Sequence, residues 1–387
     1  MKIAAVSHLA SPATPTGAEK SLSSLVENLV RRGHEVGVVA PGAWCLTSSM
    51  RRAGVEVAEI PSRPCWLVQW GRQPLVTQVM RYLRWRAPDL GVRRMMVWLD
   101  RFWPEVVLVN CLPQLKGAAA ARALGLPVVW HVREIVPPGS RRRFFVRRLA
   151  RDARRIVAVS EAVAAWIRDE GLGDRVEVVH NGVTVPEGSR AGSAVRAELG
   201  LPADDVLAGF LGGAAEHKGV GRFVDAAERA MERSSRLHAV IAVYGPESDV
   251  AALRSRVAGS PYSGRFSLLP PVNDVFELLS ALDVVAFSSI WPDSLPRVIM
   301  EAMAAARPVV AFRTGGVAEM VDDGATGYVV EPGDTAALAD RLMRLAADGG
   351  LRRRMGEAGR CRAHYEFSVE RHVDRMESIL TGAATGS

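Results

Sequence analysis

Two carboxylates flank a segment that has the features of an anion-binding helix start. Asp293 and Glu301 are eight residues apart in Trp291–Glu301, which reads WPDSLPRVIME. Ser294 is a candidate N-cap and Pro296 is tolerated in a first turn, so a helix is predicted to begin near them. Its free N–H groups would favour an anion such as diphosphate, and the carboxylates could accept hydrogen bonds from sugar hydroxyls. Pairs at this spacing also arise by chance among 42 acidic residues.

A second candidate anion site is the glycine-rich segment Ala208–Gly219, which reads AGFLGGAAEHKG. Gly213 and Gly219 let the backbone approach a phosphate closely, and Lys218 adds a mobile positive charge. Lys218 is also the only lysine in the second half of the chain. The segment matches neither a Walker A loop nor a dinucleotide fingerprint, and paired glycines after a strand also form simple turns. Arg313–Glu319 (RTGGVAE) repeats the pattern and has the same two interpretations.

Two residues of the first half are further candidates. Gly17 opens a predicted helix after the first strand, where a glycine lets a phosphate approach the helix N-terminus. His131 ends the strand VVWH, and strand carboxyl ends are where α/β proteins bind ligands. A lone histidine there also fits a purely structural role.

Short strands rich in valine and isoleucine must position these candidates. They alternate with helices such as the one predicted over Ala18–Arg32, so a parallel sheet covered on both faces is expected. The predicted strands are Lys2–Ser7, Glu35–Ala40, Val106–Asn110, Val128–His131, Arg155–Ser160, Val176–Val179, Val206–Leu211, Ala239–Tyr244, Arg265–Leu269, Asp283–Phe287, Pro308–Phe312 and Gly327–Val330.

The strand series pauses between Val183 and Pro202, where Pro, Gly, Ser and Arg dominate. We therefore predict an α/β protein of two Rossmann-like doubly wound domains, over residues 1–185 and 186–365, with ligands in the cleft where they face each other. A helix over 366–380 is expected to pack back on the first domain, and residues 381–387 are expected to form a disordered tail.

Composition narrows the function classes. Hydrophobic residues make up 48% and charged residues 24%, as in globular proteins. Apolar runs of 18 residues and a signal peptide are both lacking, which predicts a cytoplasmic protein. The four cysteines are scattered, so neither disulfides nor a metal site are expected. The sequence also lacks the Gly-x-Ser-x-Gly and His-Glu-x-x-His motifs of hydrolases.

Charge is distributed unevenly along the chain. Residues 1–185 carry 27 basic against 15 acidic residues, and residues 186–387 carry 22 against 27. This asymmetry indicates an anionic partner for the first domain. The basic, aromatic stretches Pro64–Trp103 and Arg141–Arg155 would suit the inner face of a membrane. The alternative is a solvated or acceptor-binding face, and no nucleic-acid partner is expected.

Taken in order, these segments resemble retaining glycosyltransferase family 4, which has the GT-B fold. The resemblance is strongest from Asp283 onwards, in DVVAFSSIWPDSLPRVIMEAMAAARPVVAFRTGGVAEMVDDGATGYVVEPGD. This stretch contains an acidic residue and a Glu separated by seven residues, then EAMA, a Pro-Val-Val strand, Gly-Gly-x-x-Glu and DG-x-x-G. Val159–Glu161 (VSE), Asn181–Val183 (NGV) and Lys218-Gly219 also fall where the family has short motifs.

The resemblance implies transfer of a sugar from a nucleoside diphosphate to an acceptor hydroxyl, with retention at the anomeric carbon and without a metal. The acceptor would be a glycan, a lipid-linked sugar or a natural product. By position, Asp293 would contact the donor sugar and Glu301 the ribose. Lys218 and Gly17 would contact the diphosphate, and His131 the sugar and the acceptor. Ser294, Leu295 and Pro296 would contribute backbone to the phosphate site, together with Gly213 and Gly219.

Two positions depart from the family pattern. Asp293 stands where the family usually has Glu, and Gly213 stands where it usually has the first of two phosphate-binding cations. Two alternatives therefore remain open beside a transferase. One is a nucleotide-sugar 2-epimerase on a related fold, and the other is a catalytically weak homologue that only binds a sugar nucleotide.

Overall fold

The computed structural model describes residues 1–12, 15–63, 65, 76, 79–80, 83, 90–186, 192–202, 204–272 and 274–386. The chain divides into two compact units. Unit 1 comprises Met1–Gly182 and Val369–Ser387, and unit 2 comprises Val183–Ser368. Part of the predicted link between Val183 and Pro202, residues 187–191, lies outside the described residues.

Unit 1 is built on seven strands, β1 (Lys2–Val6), β2 (Glu35–Ala40), β3 (Glu56–Glu59), β4 (Val106–Asn110), β5 (Val128–Val132), β6 (Arg155–Ala158) and β7 (Val176–Val178). Its helices before Gly182 are α1 (Gly17–Arg31), α2 (Thr47–Arg52), α3 (Leu90–Phe102), α4 (Leu115–Ala123), α5 (Ser140–Asp152) and α6 (Glu161–Ile167). A π-helical turn (Arg168–Leu172) and a 3-10 turn (Gly173–Arg175) lead from α6 to β7.

Unit 2 has six strands, β8 (Val206–Gly213), β9 (Leu237–Tyr244), β10 (Phe266–Leu269), β11 (Val284–Phe287), β12 (Val309–Phe312) and β13 (Gly327–Val330). Its helices are α7 (Ser193–Glu198), α8 (Val220–Arg233), α9 (Glu247–Ala258), α10 (Val275–Ala281), α11 (Arg297–Ala304), α12 (Val317–Met320), α13 (Thr335–Ala347) and α14 (Gly349–Glu366). There are 3-10 turns at Glu216–Lys218 and Ser263–Arg265. The chain ends in unit 1 with α15 (Val369–Thr385).

The sheet of unit 1 is parallel throughout, with the order β3-β2-β1-β4-β5-β6-β7. One of its faces shares a buried apolar cluster with α1 and α15. On the other face, Trp98 and Phe102 of α3 pack so closely on Gly37 that a Cβ there would lie 2.6 Å from the Trp98 ring. Both faces are thus covered, as the near-continuous apolar strands predict. Sequence patterning missed β3, because its four residues include two glutamates and it lies at the sheet edge.

The sheet of unit 2 is also parallel throughout, with the order β10-β9-β8-β11-β12-β13. Helices α8 and α13 bury an apolar face against it, with Phe223 and Leu342 fully inaccessible. Each such side chain contributes about 1.5–3 kcal/mol when it leaves water. The doubly wound architecture predicted for both halves is confirmed.

The strand order reverses at one place in each sheet. In unit 1 the reversal lies between β1 and β4, and in unit 2 it lies between β8 and β11. The loops that leave two such strands diverge to opposite faces of the sheet, so a crevice opens at their carboxyl ends. This topology identifies the β8–β11 edge and the β1–β4 edge as the places to look for a ligand site.

Two helix boundaries differ from those predicted. Helix α11 begins at Arg297 with Pro296 at its N-cap position, so Ser294 is not the N-cap. Helix α15 continues to Thr385, through most of the stretch where a disordered tail is predicted. The reason is burial, since Leu380 and Ala383 have no exposed surface. Within the described ranges, no helix is both long and apolar enough to cross a bilayer.

Candidate functional site

An ion pair lies at the point where the strand order of unit 2 reverses. Lys218 follows β8 and Asp293 follows β11, and the Lys218 Nζ lies 2.9 Å from Asp293 Oδ2. Burial acts to lower the pKa of Lys218, but the Asp293 carboxylate outweighs it and the net shift is upward. The side chains of Lys218 and Asp293 keep 34% and 23% of their surface exposed. A positive charge is therefore maintained at this edge and stays accessible to a ligand.

The loop that carries Lys218 is tied to the loop after β11. Gly219 has φ +76°, and a Cβ on it would lie 1.7 Å from the Ser288 carbonyl oxygen. The Ser288 hydroxyl donates to the Gly219 carbonyl at 2.8 Å, and the Ser289 hydroxyl donates to the His217 carbonyl at 3.2 Å. Only glycine tolerates both this φ and this approach. Gly219, predicted to contact phosphate, thus has a packing role here, and its contact with a ligand stays a prediction.

The loop after β12 holds Asp293 from another side. Gly315 has φ +53°, and a Cβ on it would lie 1.9 Å from the Asp293 carbonyl oxygen. That oxygen accepts a hydrogen bond from the Gly316 N–H at 2.9 Å. The Thr314 hydroxyl donates to the Ser289 carbonyl at 3.4 Å. The Gly-Gly of RTGGVAE therefore forms a tight turn that supports the Asp293 backbone.

Glu301 lies in the second turn of α11 and is largely buried. Its Oε1 accepts a hydrogen bond from Arg297 Nε at 2.7 Å, in an i,i+4 ion pair. Among the residues that the structure describes, Arg297 Nη1 is buried and has no hydrogen-bond partner. Sequence reasoning did not single out Arg297, although its spacing from Glu301 carries the signal for such a pair.

Leu295 and Pro296 are buried immediately before α11, and Ser294 is partly exposed. The loop carries no side-chain cap for the helix, so its first amides are not satisfied by a capping side chain. The backbone N–H groups at the start of α11 could therefore donate hydrogen bonds to an anion.

Gly213 ends β8 in an ordinary backbone conformation. A Cβ on it would be 3.6 Å from Lys218 Cγ and 3.9 Å from Tyr244 Cε2, both ordinary contacts. A Cβ at this position would therefore fit, in ordinary contact with Lys218 and Tyr244. The glycine is not required by packing.

A second polar cluster lies at the carboxyl ends of the unit 1 strands. Arg133 follows β5, and its guanidinium donates to the side-chain oxygens of Asn110 at 3.0 Å and Asn181 at 2.7 Å. Its Nη2 also lies 3.4 Å from Nδ1 of His131. Because a guanidinium can only donate, Nδ1 of a neutral His131 is the acceptor and its proton is on Nε2. Sequence reasoning named His131 and missed the arginine that organises the cluster.

His372 of α15 completes this cluster. Its ring centroid lies 6.1 Å from that of His131, and its Nδ1 is 2.7 Å from the His180 carbonyl oxygen. Burial, followed by the Arg133 charge, lowers the pKa of His372 to about 4. The same two causes lower the pKa of His8 to about 4, against a smaller opposing effect of Glu19, and hold the pKa of His131 well below its usual value. All three imidazoles are thus neutral at pH 7.

These neutral histidines predict acid lability of unit 1. The pKa values of His8 and His372 lie below the unfolded value of about 6.5, so the unfolded state binds more protons between pH 6.5 and 4. The unfolding free energy should then fall with decreasing pH by up to about 1.4 kcal/mol per pH unit for each histidine. Tryptophan fluorescence in denaturant titrations at pH 7, 6 and 5 measures this, since eight of nine tryptophans precede residue 186. His372→Asn should flatten the pH slope, whereas the exposed-site control His364→Asn should leave it unchanged; equal slopes in all three proteins would contradict the prediction.

Gly17 is the first residue of α1 and is exposed. Thr16 and Glu19 form a capping box at this helix start. The Thr16 side chain accepts a hydrogen bond from the Glu19 N–H, and the Glu19 carboxylate accepts one from the Thr16 N–H at 2.8 Å. Glu19 Oε1 also accepts from the Ser11 N–H at 2.7 Å. The Gly17 amide is not used by the box, so a phosphate contact there stays a prediction.

The structure thus brings Lys218, Asp293 and the start of α11 together in unit 2, with Gly213 open beside them. In unit 1, His131 lies near the carboxyl end of β5 and Gly17 is the first residue of α1. The unit 2 group combines an accessible cation, a carboxylate acceptor and a helix start without a capping side chain, which suits a phosphorylated, hydroxylated ligand. Within the described ranges, no group of three or more His, Cys, Asp or Glu side chains could hold a metal ion.

Comparison with known proteins identifies the family. Residues 15–185 match Glycosyltransferase Family 4, and residues 205–348 match Glycosyl transferases group 1. A D-inositol 3-phosphate glycosyltransferase of Nocardia farcinica is 32% identical over 325 residues, which cover 78% of this chain and 67% of that protein. An N-acetyl-alpha-D-glucosaminyl L-malate synthase of Bacillus anthracis is 30% identical over 160 residues, 41% of this chain and 42% of that protein. The chain spans about half the length of several of the curated relatives it matches.

Solved structures support the same fold. The Anabaena protein HepE, crystallised with UDP-glucose, has a TM-score of 0.82 and 22% sequence identity, and the match covers 99% of this chain and 100% of HepE. The two parallel sheets, of seven and six strands, are those of the GT-B fold. The order of the motifs from Asp283 onwards and the family matches of both halves of the chain indicate the same family. The chain therefore belongs to glycosyltransferase family 4.

Proposed function

We propose that the protein is a retaining glycosyltransferase that uses a nucleoside-diphosphate sugar and needs no metal. The observation that carries the proposal is the Lys218–Asp293 pair, 2.9 Å apart, at the β8–β11 edge beside the start of α11. Several similar structures hold UDP or UDP-glucose, which supports a diphosphate donor for a chain of this fold.

In this proposal, unit 2 stabilises the leaving diphosphate. The bond from the anomeric carbon to the diphosphate breaks with the electron pair on oxygen, so negative charge develops there. Lys218 and the first amides of α11 supply the compensating positive potential. The donor diphosphate would compete with Asp293 for the lysine, which frees the carboxylate to accept from a sugar hydroxyl. Glu301, held by Arg297, would accept from the ribose.

Retention follows in this proposal without an enzyme nucleophile. The acceptor hydroxyl approaches the face that the diphosphate leaves, and its proton passes to the departing phosphate oxygen. The acceptor then gains the new bond on the same side of the ring. Positioning and charge stabilisation would supply the rate. The role of His131 beside the acceptor is the one that the family resemblance implies.

A donor panel followed by product analysis tests the proposal. A matching nucleotide sugar at a hundred times its dissociation constant should stabilise the protein by about 2.7 kcal/mol in thermal unfolding. With that donor and a panel of hydroxyl acceptors, NMR should show a product of unchanged anomeric configuration, and activity should survive EDTA. An inverted product would refute retention, and loss of activity in EDTA would refute metal independence. Epimerised donor in the absence of an acceptor would refute sugar transfer in favour of an epimerase. Donor binding with neither transfer nor hydrolysis would favour the weak homologue.

Gly213→Arg should strengthen donor binding. The position is open, and a guanidinium leaving it would lie beside Lys218, where it can form charge-assisted hydrogen bonds to phosphate. We expect about tenfold tighter binding of a nucleoside diphosphate, corresponding to roughly 1.4 kcal/mol. Calorimetric titration of the variant and of Gly213→Gln, which adds length without charge, measures this. Equal gains in both variants would show that charge is not the cause.

We also propose that unit 1 touches an anionic lipid surface. Of the predicted stretch Pro64–Trp103, most residues before Leu90 lie outside the described ranges. Along α3, Leu90 and Val97 are exposed beside Arg93, Arg94 and Arg101, and Trp103 follows the helix with 70% of its surface exposed. In the second stretch, Arg141–Arg155, the apolar Phe145 and Leu149 of α5 are buried in the core. The proposal therefore rests on the α3 surface, which consists of the exposed residues Leu90, Arg93, Arg94, Val97, Arg101 and Trp103.

Val97→Asp tests the lipid contact. It places a negative charge in the middle of the α3 surface, so it should weaken co-sedimentation with vesicles of anionic lipid at least severalfold at low salt. Tyr365→Asp introduces the same charge at an exposed aromatic of unit 2 and serves as the control. No sedimentation of the wild-type protein at low salt would refute the contact.

A further inference from the structure

Tyr244 is a largely exposed aromatic residue at the carboxyl end of β9. Its exposed fraction is 59%, although its neighbours Ala242 and Val243 are buried. In the β8–β9 ladder Tyr244 is paired directly with Gly213, and its carbonyl accepts from the Ala214 N–H at 2.9 Å. The backbone of Tyr244 is thus fixed at the same strand edge that presents Lys218, while its ring is left in solvent.

The ring borders the space that Gly213 leaves empty. A Cβ built on Gly213 points between Lys218 Cγ, at 3.6 Å, and Tyr244 Cε2, at 3.9 Å. The lysine stem and the tyrosine ring therefore both border the slot that a side chain at position 213 would occupy. Tyr244 also ranks, after burial and Asp293, among the influences on the pKa of Lys218, which agrees with its position beside that lysine.

A phenol in this place has a defined chemistry. A phenol hydroxyl can donate one hydrogen bond. A hydrogen bond to a charged phosphate oxygen is stronger than one between neutral groups. An exposed ring also loses little by turning its hydroxyl toward a ligand beside Lys218.

We propose that Tyr244 contacts the diphosphate of the donor, with its hydroxyl donating a hydrogen bond in the slot that a side chain at position 213 would otherwise fill. This rests on the proposed function, because it assigns a further residue to the same donor site. The tyrosine supplies a neutral donor where the family usually has a cation. Donor binding then depends on Lys218 for charge and on Tyr244 for an additional hydrogen bond.

Calorimetric titration with UDP, or with the diphosphate of whichever base the donor panel selects, tests the contact. Tyr244→Phe removes only the hydroxyl and should weaken binding about tenfold. Tyr365→Phe makes the same change at another exposed tyrosine and should have no effect. Thermal unfolding of Tyr244→Phe should be unchanged, since the ring is largely in solvent.

A double-mutant cycle with Gly213→Arg tests the shared slot. In the Gly213→Arg background the guanidinium takes the same phosphate oxygens, so Tyr244→Phe should cost less than about threefold, well under the tenfold expected alone. Unchanged binding in Tyr244→Phe, or equal losses in both backgrounds, overturns the inference while the proposed function stands, provided that wild type binds and Lys218→Met weakens binding. If the wild-type protein binds no nucleoside diphosphate, the proposed function itself fails and the inference with it.

Discussion

Lys218→Met should lower kcat/KM for sugar transfer by about 100- to 1000-fold. The substitution keeps the length of the side chain and removes its charge. Stabilisation of developing charge by one preorganised group is worth roughly this factor, and Lys218 is the cation that the structure places at the β8–β11 edge. The loss also leaves the Asp293 carboxylate, 2.9 Å away in the native protein, without its partner. Steady-state kinetics with saturating acceptor measures the effect.

Lys2→Met is the matched control for this loss. Lys2 forms an ion pair with Glu35 at 2.9 Å, on strands β1 and β2 of unit 1, so it reports what removal of a paired lysine does by itself. We expect less than twofold change in kcat/KM for the control. Comparable losses in the two variants, or a Lys218→Met enzyme with full activity, would mean that Lys218 does not stabilise the leaving group.

Gly315→Ala should destabilise unit 2 and impair catalysis together. The methyl group would lie 1.9 Å from the Asp293 carbonyl oxygen, at a residue with φ +53°. Left-handed backbone at a non-glycine residue and overpacking each cost about 1–3 kcal/mol, so about 2–6 kcal/mol of the unfolding free energy should be lost. The Asp293 backbone must also move, so we expect more than tenfold loss of kcat. Thermal unfolding and kinetics on the same preparation measure both.

The appropriate control is Gly221→Ala. Gly221 lies in α8, and a Cβ on it meets nothing within 4 Å. Alanine is the better helix former, so this variant should gain up to about 1 kcal/mol without loss of activity. A Gly315→Ala protein as stable and active as the Gly221→Ala protein would show that the turn does not position Asp293.

Much of the fold follows from the sequence because its strands are short apolar runs between clear helices. Twelve of the thirteen strands that the structure describes were predicted from such local patterns, and β3 was missed. Helix boundaries that depend on tertiary contacts could not be predicted from the sequence. Helix α15 extends to Thr385 because Ala383 is buried, and α11 starts after Pro296, although Ser294 is the stronger N-cap by residue type.

In the candidate site too, local sequence identifies single residues, whereas their contacts depend on the fold. Lys218 and Asp293 each stand out locally, but they are 75 residues apart, and only the order of the strands brings them together. The resemblance to a known family assigned both residues to one donor site in advance, but their ion pair was not predicted. The side chains around Arg133 could not be predicted in this way, since His372 reaches the cluster from the end of the chain. Tyr244 was missed because it is 31 residues from Gly213 in the sequence, and only the pairing of β8 with β9 brings the two residues together.

A crystal structure with the best nucleotide sugar of the panel tests the central claim most directly. We expect the diphosphate at the β8–β11 edge, with a phosphate oxygen about 3 Å from Lys218 Nζ and another at the first amides of α11. The Asp293 carboxylate should then have exchanged the lysine for a sugar hydroxyl. A diphosphate bound elsewhere on the chain, with the Lys218–Asp293 pair intact, would contradict it.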